Sequence, residues 1–288
     1  GSCFTVYLDC VKEYGKSFFD RVLVEVVMKR LLLFGSISFL CLLVGALLSY
    51  KLYLEEKEVG EANAVREVEI RHQQSERQLL LSSIVEMSDV DKYPDPEKRI
   101  EGLEVLRPMV GDQDDPKVPS YIRDQFELAL AIAYYEAAED RLYRAQTLAV
   151  AYSFNQSDMN PLVMENYLTA VEDYKMAKER IDGIKEIEGN NDFNFSLQYA
   201  RGNIYFRVLS VIASNDEKRE FFEQTALAWE RALDFKEKDQ DTQINLEILK
   251  QNQSNLLSGS TGNNVQKLKQ IPKLTKPRYS IGSQPGKI

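Results

Sequence analysis

The sequence predicts an all-α protein: one transmembrane helix followed by a stack of helical hairpins. Three observations carry that expectation. Leu31 to Tyr50 is a run of 20 residues without a charge. From residue 120 onward, small and aromatic residues recur at helical spacing. No convincing run of alternating apolar and polar residues occurs, so no sheet is expected.

The apolar run comes first. At about 1.5 Å per residue, a helix of this length spans roughly 30 Å, the thickness of a bilayer's hydrocarbon core. A cleaved secretion signal has a shorter apolar core of about 7–15 residues and then small residues at the cleavage site. Here the run ends Ala46-Leu47-Leu48-Ser49-Tyr50-Lys51, without an A-x-A pattern. A lipoprotein signal needs a small residue before its cysteine, whereas Leu40 precedes Cys41. Residues 28–50 therefore read as an uncleaved signal anchor, with 31–50 in contact with the lipid bilayer. Lys29 and Arg30 precede the span, with Arg21 and Lys16 behind them, while Lys51 and then Glu55, Glu56, Glu58 and Glu61 follow it. By the excess of bases, the N-terminus is expected in the cytoplasm. In a bacterium this gives a single-pass inner-membrane protein with its C-terminal domain in the periplasm. Cys41, Gly45 and Ser49, spaced by four, form a weak candidate helix-contact face.

Residues 1–27 form an N-terminal cytoplasmic segment whose origin the sequence leaves open: translated upstream sequence, a remnant of expression, or a native amphipathic helix. Residues 51–78 are polar nearly all round, with no sustained a/d seam beyond Val65 and Val68, and read as a solvent-bridging stalk rather than a coiled coil. The folded domain is expected over 79–257. Asp95 and Pro96 mark a helix start, as cap and first helical residue, with Ile100, Leu103 and Leu106 as the apolar face. GDQDDPKVP (111–119) reads as a loop. Residues 120–153 are Ala-rich and interleaved with tyrosines. Pro161 opens the next helix, whose apolar stripe is Met164, Tyr167, Leu168, Val171, Tyr174, Ile181 and Ile184, ended by Gly189-Asn190-Asn191. A further pair is expected at 193–213 and 216–236, the latter with Phe221, Thr225, Ala228, Ala232 and Phe235 on one face. Residues 241–249 can close the array. Residues 258–288, rich in Ser, Gly, Asn, Pro and Lys, are expected to form a disordered basic tail.

Charge and composition exclude several functions. The net charge is −9, and the tail carries six bases and no acid. Removing the tail and the net −1 of residues 1–27 leaves −14 on residues 28–257. Such a body is no general nucleic-acid binder, which needs basic surface to replace counterions. No cysteine lies beyond Cys41 and the single histidine is His72, so the domain has no thiolate and no histidine of its own. Glu69 and His72 have the E-x-x-H spacing of di-iron proteins, but such a site needs a second histidine. Asp89, Asp91 and Asp95, and Asp112, Asp114 and Asp115, lack the central Gly and closing Glu of a calcium loop and read as solvated turns. No P-loop, nucleophile elbow or zinc-protease motif is present. The chain is expected to be non-enzymatic and to need no cofactor or metal. In the tail, Lys267, Lys269, Lys273, Lys276 and Arg278 alternate with apolar residues, as a solubilising extension or as a partner-binding segment for an acidic protein or anionic lipid.

The most informative stretches are YARGNIYFR (199–207) and TALAWERALDF (225–235). Together they resemble the tetratricopeptide repeat, whose first helix often carries Y-x-x-G-N-x-Y and whose second carries A-x-x-x-Y-x-x-A-L. The resemblance implies that Gly202 is the small residue where the two helices touch, with Tyr205, Trp229, Ala232 and Leu233 packing around it. The halves stand about 11 residues further apart than in the 34-residue consensus, Thr225 replaces the usual Ala, and Glu237 stands where a Pro ends the repeat. DQDTQINLEILKQNQ, from Asp239, looks like the closing helix of bacterial repeat proteins that are anchored to the inner membrane and encoded beside MoxR-type ATPases and von Willebrand A proteins. The layout of short basic start, single span and helical domain resembles the MxaK-like members of that group. That resemblance implies a TPR-like solenoid in a membrane-anchored adaptor or assembly factor, with a von Willebrand A protein or a MoxR-type ATPase system as partner. Two alternatives stay open: a chaperone-like accessory protein of the secretion translocon, similar to YfgM, and a structural subunit of a larger envelope complex.

Overall fold

The computed structural model of the chain describes residues 2–111, 118–152, 160–257 and 274. Among them every regular element is helical. The chain divides into two units, residues 1–73 and 74–288. The described residues of the first unit all belong to helix α1 (Ser2–Ser88). From Leu23 its side chains are exposed, with Leu32 at 70% and Leu42 at 74%. An 18-residue window of α1 reaches a mean hydropathy of 2.6 with none of it buried. By length and composition this helix suits a membrane anchor or a signal sequence.

The second unit begins at Gln74, so the last turns of α1 belong to it. There Leu80 and Ile84 are buried. The helices that follow are α2 (Pro96–Val110), α3 (Ser120–Tyr152), α4 (Pro161–Asp182), α5 (Asn191–Arg207), α6 (Lys218–Phe235), α7 (Gln240–Gln251) and the short α8 (Gln253–Leu257). The starts of α2, α4, α5 and α7 are set by side chains that take up orphan backbone N–H groups. Asp95 accepts from the Glu97 N–H at 3.0 Å, Asn160 from Leu162 at 2.9 Å, Asn190 from Phe193 at 3.1 Å and Asp239 from Thr242 at 2.9 Å. Pro96 and Pro161 occupy first-turn positions whose missing N–H costs nothing. Gly111, at φ 70°, closes α2 in a conformation that disfavours other residues.

Three apolar clusters run along the chain in order. The end of α1, α2 and the first half of α3 share Ile84, Leu103, Ile122, Phe126 and Leu130. Helices α3, α4 and α5 share Ala138, Ala170, Tyr174, Ala177, Ile181 and Ile204. Helices α5 to α8 share Phe206, Trp229, Ala232, Leu246 and Leu249. Cross-helix contacts show that neighbours run antiparallel: Glu127 meets Arg180 and Arg141 meets Asp173 between α3 and α4. Likewise Gly202 meets Trp229, and Tyr205 meets Phe221, between α5 and α6. Each hairpin hands its second apolar face to the next, because one helix pair cannot bury both faces alone.

Several expected details differ. Helix α4 ends at Asp182, well before Gly189. The cause is α5: Arg201 Nη2 donates to the carbonyls of Ile181 and Ile184 at 3.1 and 2.8 Å, and Asn194 clasps the Ile187 N–H and carbonyl at 2.7 and 2.8 Å. With its backbone groups satisfied by α5, the chain leaves the helix at Gly183. The buried face of α4 is Val163, Ala170, Tyr174, Ala177 and Ile181, whereas Leu168 of the expected stripe is 56% exposed. The expected helix 193–213 stops being α-helical at Arg207 and continues as a π-helical segment, Val208–Ile212, where Ala213 N–H reaches back to the Val208 carbonyl at 2.8 Å. The loop expected at 111–119 lies outside the described residues except at its ends.

Candidate functional site

The residues singled out by the repeat motif lie on α5 and α6, and four of the five surround one contact. Gly202 is buried, and a Cβ there would collide with Cδ1 and Nε1 of the Trp229 indole. The two helices approach this closely because position 202 has no side chain. Trp229 is fully buried and Ala232 lies beside it in the same cluster, with Leu233 packed at its edge. Tyr205 points the other way: its hydroxyl donates to Asp182 Oδ1 of α4 at 2.8 Å, and its ring meets Phe221 edge-on at 6.1 Å. Burial, and then the Asp182 carboxylate, raise the Tyr205 phenol above its ordinary value.

Beneath Trp229 the motif residues form a polar node. Trp229 Nε1–H donates to Asn203 Oδ1 at 3.1 Å. Asn245 Nδ2 donates to the same oxygen at 3.3 Å and to the Tyr199 hydroxyl at 3.1 Å. Asn203, Asn245 and Trp229 have no exposed surface. This explains the sequence D-x-x-x-x-x-N-L-E from Asp239. The Asp caps α7, also accepting from the Thr242 hydroxyl at 2.6 Å, and the Asn, six residues on, enters the node. Buried donors and acceptors left unpaired are costly, so the node admits one register of α7 on α5 and α6.

A second feature escaped the sequence. Arginines and carboxylates that the sequence does not single out join neighbouring helices. Arg207, at the end of α5 and 3% exposed, forks onto Glu139 of α3, with Nη2 to Oε2 at 2.7 Å. Tyr174 of α4 donates to Glu139 Oε1 at 2.6 Å, and its ring lies 6.2 Å from Tyr135. Burial works against the guanidinium's charge, but Glu139 more than offsets it and holds Arg207 above its ordinary value. Burial pushes the Tyr135 and Tyr174 phenols far up, so both stay neutral. Arg99 of α2 pairs with Glu136 of α3, and Arg141 of α3 with Asp173 of α4 and Glu97 of α2. Arg180 of α4 reaches Glu127 at 3.0 Å and Glu104 at 3.7 Å. Arg107 shares both carboxylates and stacks over the Phe126 ring at 5.3 Å. The only sequence signal was arginine and glutamate recurring inside Ala-rich helices, a pattern shared with solvated helix faces.

The basic-tail residues Lys267, Lys269, Lys273, Lys276 and Arg278 lie outside the described residues. Among the described residues no group of three or more His, Cys, Asp or Glu side chains could hold a metal ion, and His72 lies on the exposed part of α1. No family model matches this chain, and neither does any curated protein or solved structure.

Proposed function

We propose that this protein is a membrane-anchored adaptor or assembly factor, held by residues 31–50 and binding partner proteins through a TPR-like helical domain. The observation that carries this reading is the series of antiparallel helix pairs, α3 with α4 and α5 with α6, joined at Gly202 and Trp229. An array of hairpins exposes an extended face on each side, and such faces serve as protein-binding surfaces in solenoids. The polar groups of the interior are spent on joining helices, and the chemistry they support is structural. The orientation follows from the bases around the span: N-terminus in the cytoplasm, domain in the periplasm of a bacterium. The resemblance of residues 197–250 to repeat proteins encoded beside MoxR-type ATPases, together with the MxaK-like layout of the chain, favours a von Willebrand A protein or a MoxR-type ATPase system as partner. No nucleic acid, metal or cofactor enters this reading.

Crosslinking the full-length protein in its native membrane, followed by mass spectrometry of the adducts, tests it. Recovery of a von Willebrand A protein or a MoxR-type ATPase is the expected result. Recovery of translocon subunits supports instead the YfgM-like accessory role, and self-adducts alone support a structural subunit. Alkaline extraction of the same membranes separates the anchor from a cleaved signal. An anchored chain stays in the pellet, whereas a chain cleaved after the span is released.

A further inference from the structure

One residue of the basic C-terminal segment is described, and it is not solvent-exposed. Leu274 is partly buried and packs against the apolar cluster of α5 to α8. That cluster is the last along the chain, and only the five-residue α8 follows α7 among the described helices. Most of its buried members are closed off completely or nearly so, but Phe195 and Leu246 keep 7% exposure and Leu256 keeps 9%. The end of a hairpin array is where apolar surface lacks a following repeat to cover it.

We propose that this end face is a docking surface for a leucine flanked by basic residues, and that the chain's own tail occupies it through Leu274. Three properties of the chain fit that occupant. The 16 residues between Leu257 and Leu274 reach any point of the domain's end, since an extended chain covers about 3.3–3.6 Å per residue. The closure cost of such a loop grows only slowly with its length, and tethering raises the local concentration of the segment to the millimolar range. A single leucine too weak to bind as a free peptide can therefore be seated in cis. The sequence around it, with Lys273, Lys276 and Arg278, is basic, while residues 28–257 carry net −14. Leu274 is thus a tethered ligand of the domain. A partner offering a similar basic, leucine-bearing segment would compete with it.

The test uses the full chain in detergent micelles and compares Leu274→Asp with Leu268→Asp, a leucine of the same tail. Amide hydrogen exchange is read over residues 245–257, and trypsin cleavage is timed after Arg278, the nearest site that neither a following proline nor the substitution itself affects. Docking predicts that Leu274→Asp speeds both by about three- to tenfold, as expected for losing a partly buried leucine. Leu268→Asp leaves both unchanged, and Leu274→Ala moves them the same way by less. Emission from Trp229, the single tryptophan, stays unchanged in every variant, because the cluster's interior is not altered. Equal rates in Leu274→Asp and the unmodified chain overturn the proposal. So do equal effects of the Leu268 and Leu274 substitutions, which would mark a nonspecific response to charge.

Discussion

Replacing Gly202 by alanine puts two opposed effects on one atom, and the structure says which is larger. On an isolated helix Gly→Ala stabilises by about 1 kcal/mol, because glycine loses more backbone freedom on folding. In this helix pair the added Cβ overlaps the Trp229 ring. Trp229 is fully buried and tied by its Nε1–H to Asn203, so the indole cannot swing away without losing that bond. Overpacking of this kind costs about 1–3 kcal/mol, and a strained or broken buried hydrogen bond adds about 1–3 kcal/mol. Net of the propensity gain, Gly202→Ala should destabilise by about 1–5 kcal/mol. In a domain of this size that lowers the midpoint by about 2–4 °C for each kcal/mol. Thermal unfolding followed by Trp229 fluorescence measures it at the site itself, since the chain has one tryptophan. The double variant Gly202→Ala with Trp229→Leu, followed by far-ultraviolet circular dichroism because it has no tryptophan, should lose less than the sum of the two single losses, because the clash is removed. A Gly202→Ala protein that melts at the same temperature or higher would refute the close contact and leave only the propensity effect.

Other perturbations read other parts of the domain. Arg207→Met strands Glu139 in the interior and should cost about 3–5 kcal/mol in urea unfolding, while adding Glu139→Leu should restore part of it. Asn245→Leu leaves Asn203 and Tyr199 short of a donor they now share, for a loss of about 1–3 kcal/mol. Its amide exchange should accelerate in α7 before α3. Acid should weaken the domain through Glu104 and Glu186. Arg107 and Arg231 respectively hold these carboxyls below the ordinary value of 4.5. Their contribution is complete above that pH and is lost as pH falls through their lower folded-state values. Urea titrations between pH 3 and 6 should show this decline, flattened in Glu104→Gln with Glu186→Gln. Burial raises Asp173 despite Arg141, so it favours the folded state on acidification, and Asp173→Asn should steepen the decline.

What the sequence showed clearly were features whose physics is local. A cap followed by proline marks a helix start whatever lies around it, and Asp95-Pro96 and Asn160-Pro161 open α2 and α4. Glycine, asparagine and tryptophan at the motif positions carry their meaning because a close helix crossing needs a missing side chain and a large one opposite. The errors arose where a partner decides. On α4 the larger residues looked like the core face, yet α3 approaches through Ala170 and Ala177, and Leu168 is left outside. The end of α4 was placed too late because Arg201 and Asn194, which release the chain from the helix, come from the following helix. The change to π-helix after Arg207 has no local marker in VLSVI.

The charges illustrate the same limit and bear on what the domain can bind. In sequence, Glu104, Glu127, Glu136, Glu139 and Asp173 count only toward the net charge; in the fold each meets an arginine. Five of the arginines that do this, Arg99, Arg107, Arg141, Arg180 and Arg207, come from α2, α3, α4 and α5. Pairing them removes equal numbers of both signs, so the net −14 of residues 28–257 is not reduced by these ties. It rests on carboxylates outside them, many in exposed turns and on helix faces such as Glu165, Glu188, Asp192 and Glu247. Solvent and partners therefore meet a domain more uniformly acidic than its composition suggests, because much of its base is turned inward. A surface of that kind steers basic segments toward it and repels acidic ones. The same electrostatics favour the basic tail in cis and a basic partner in trans.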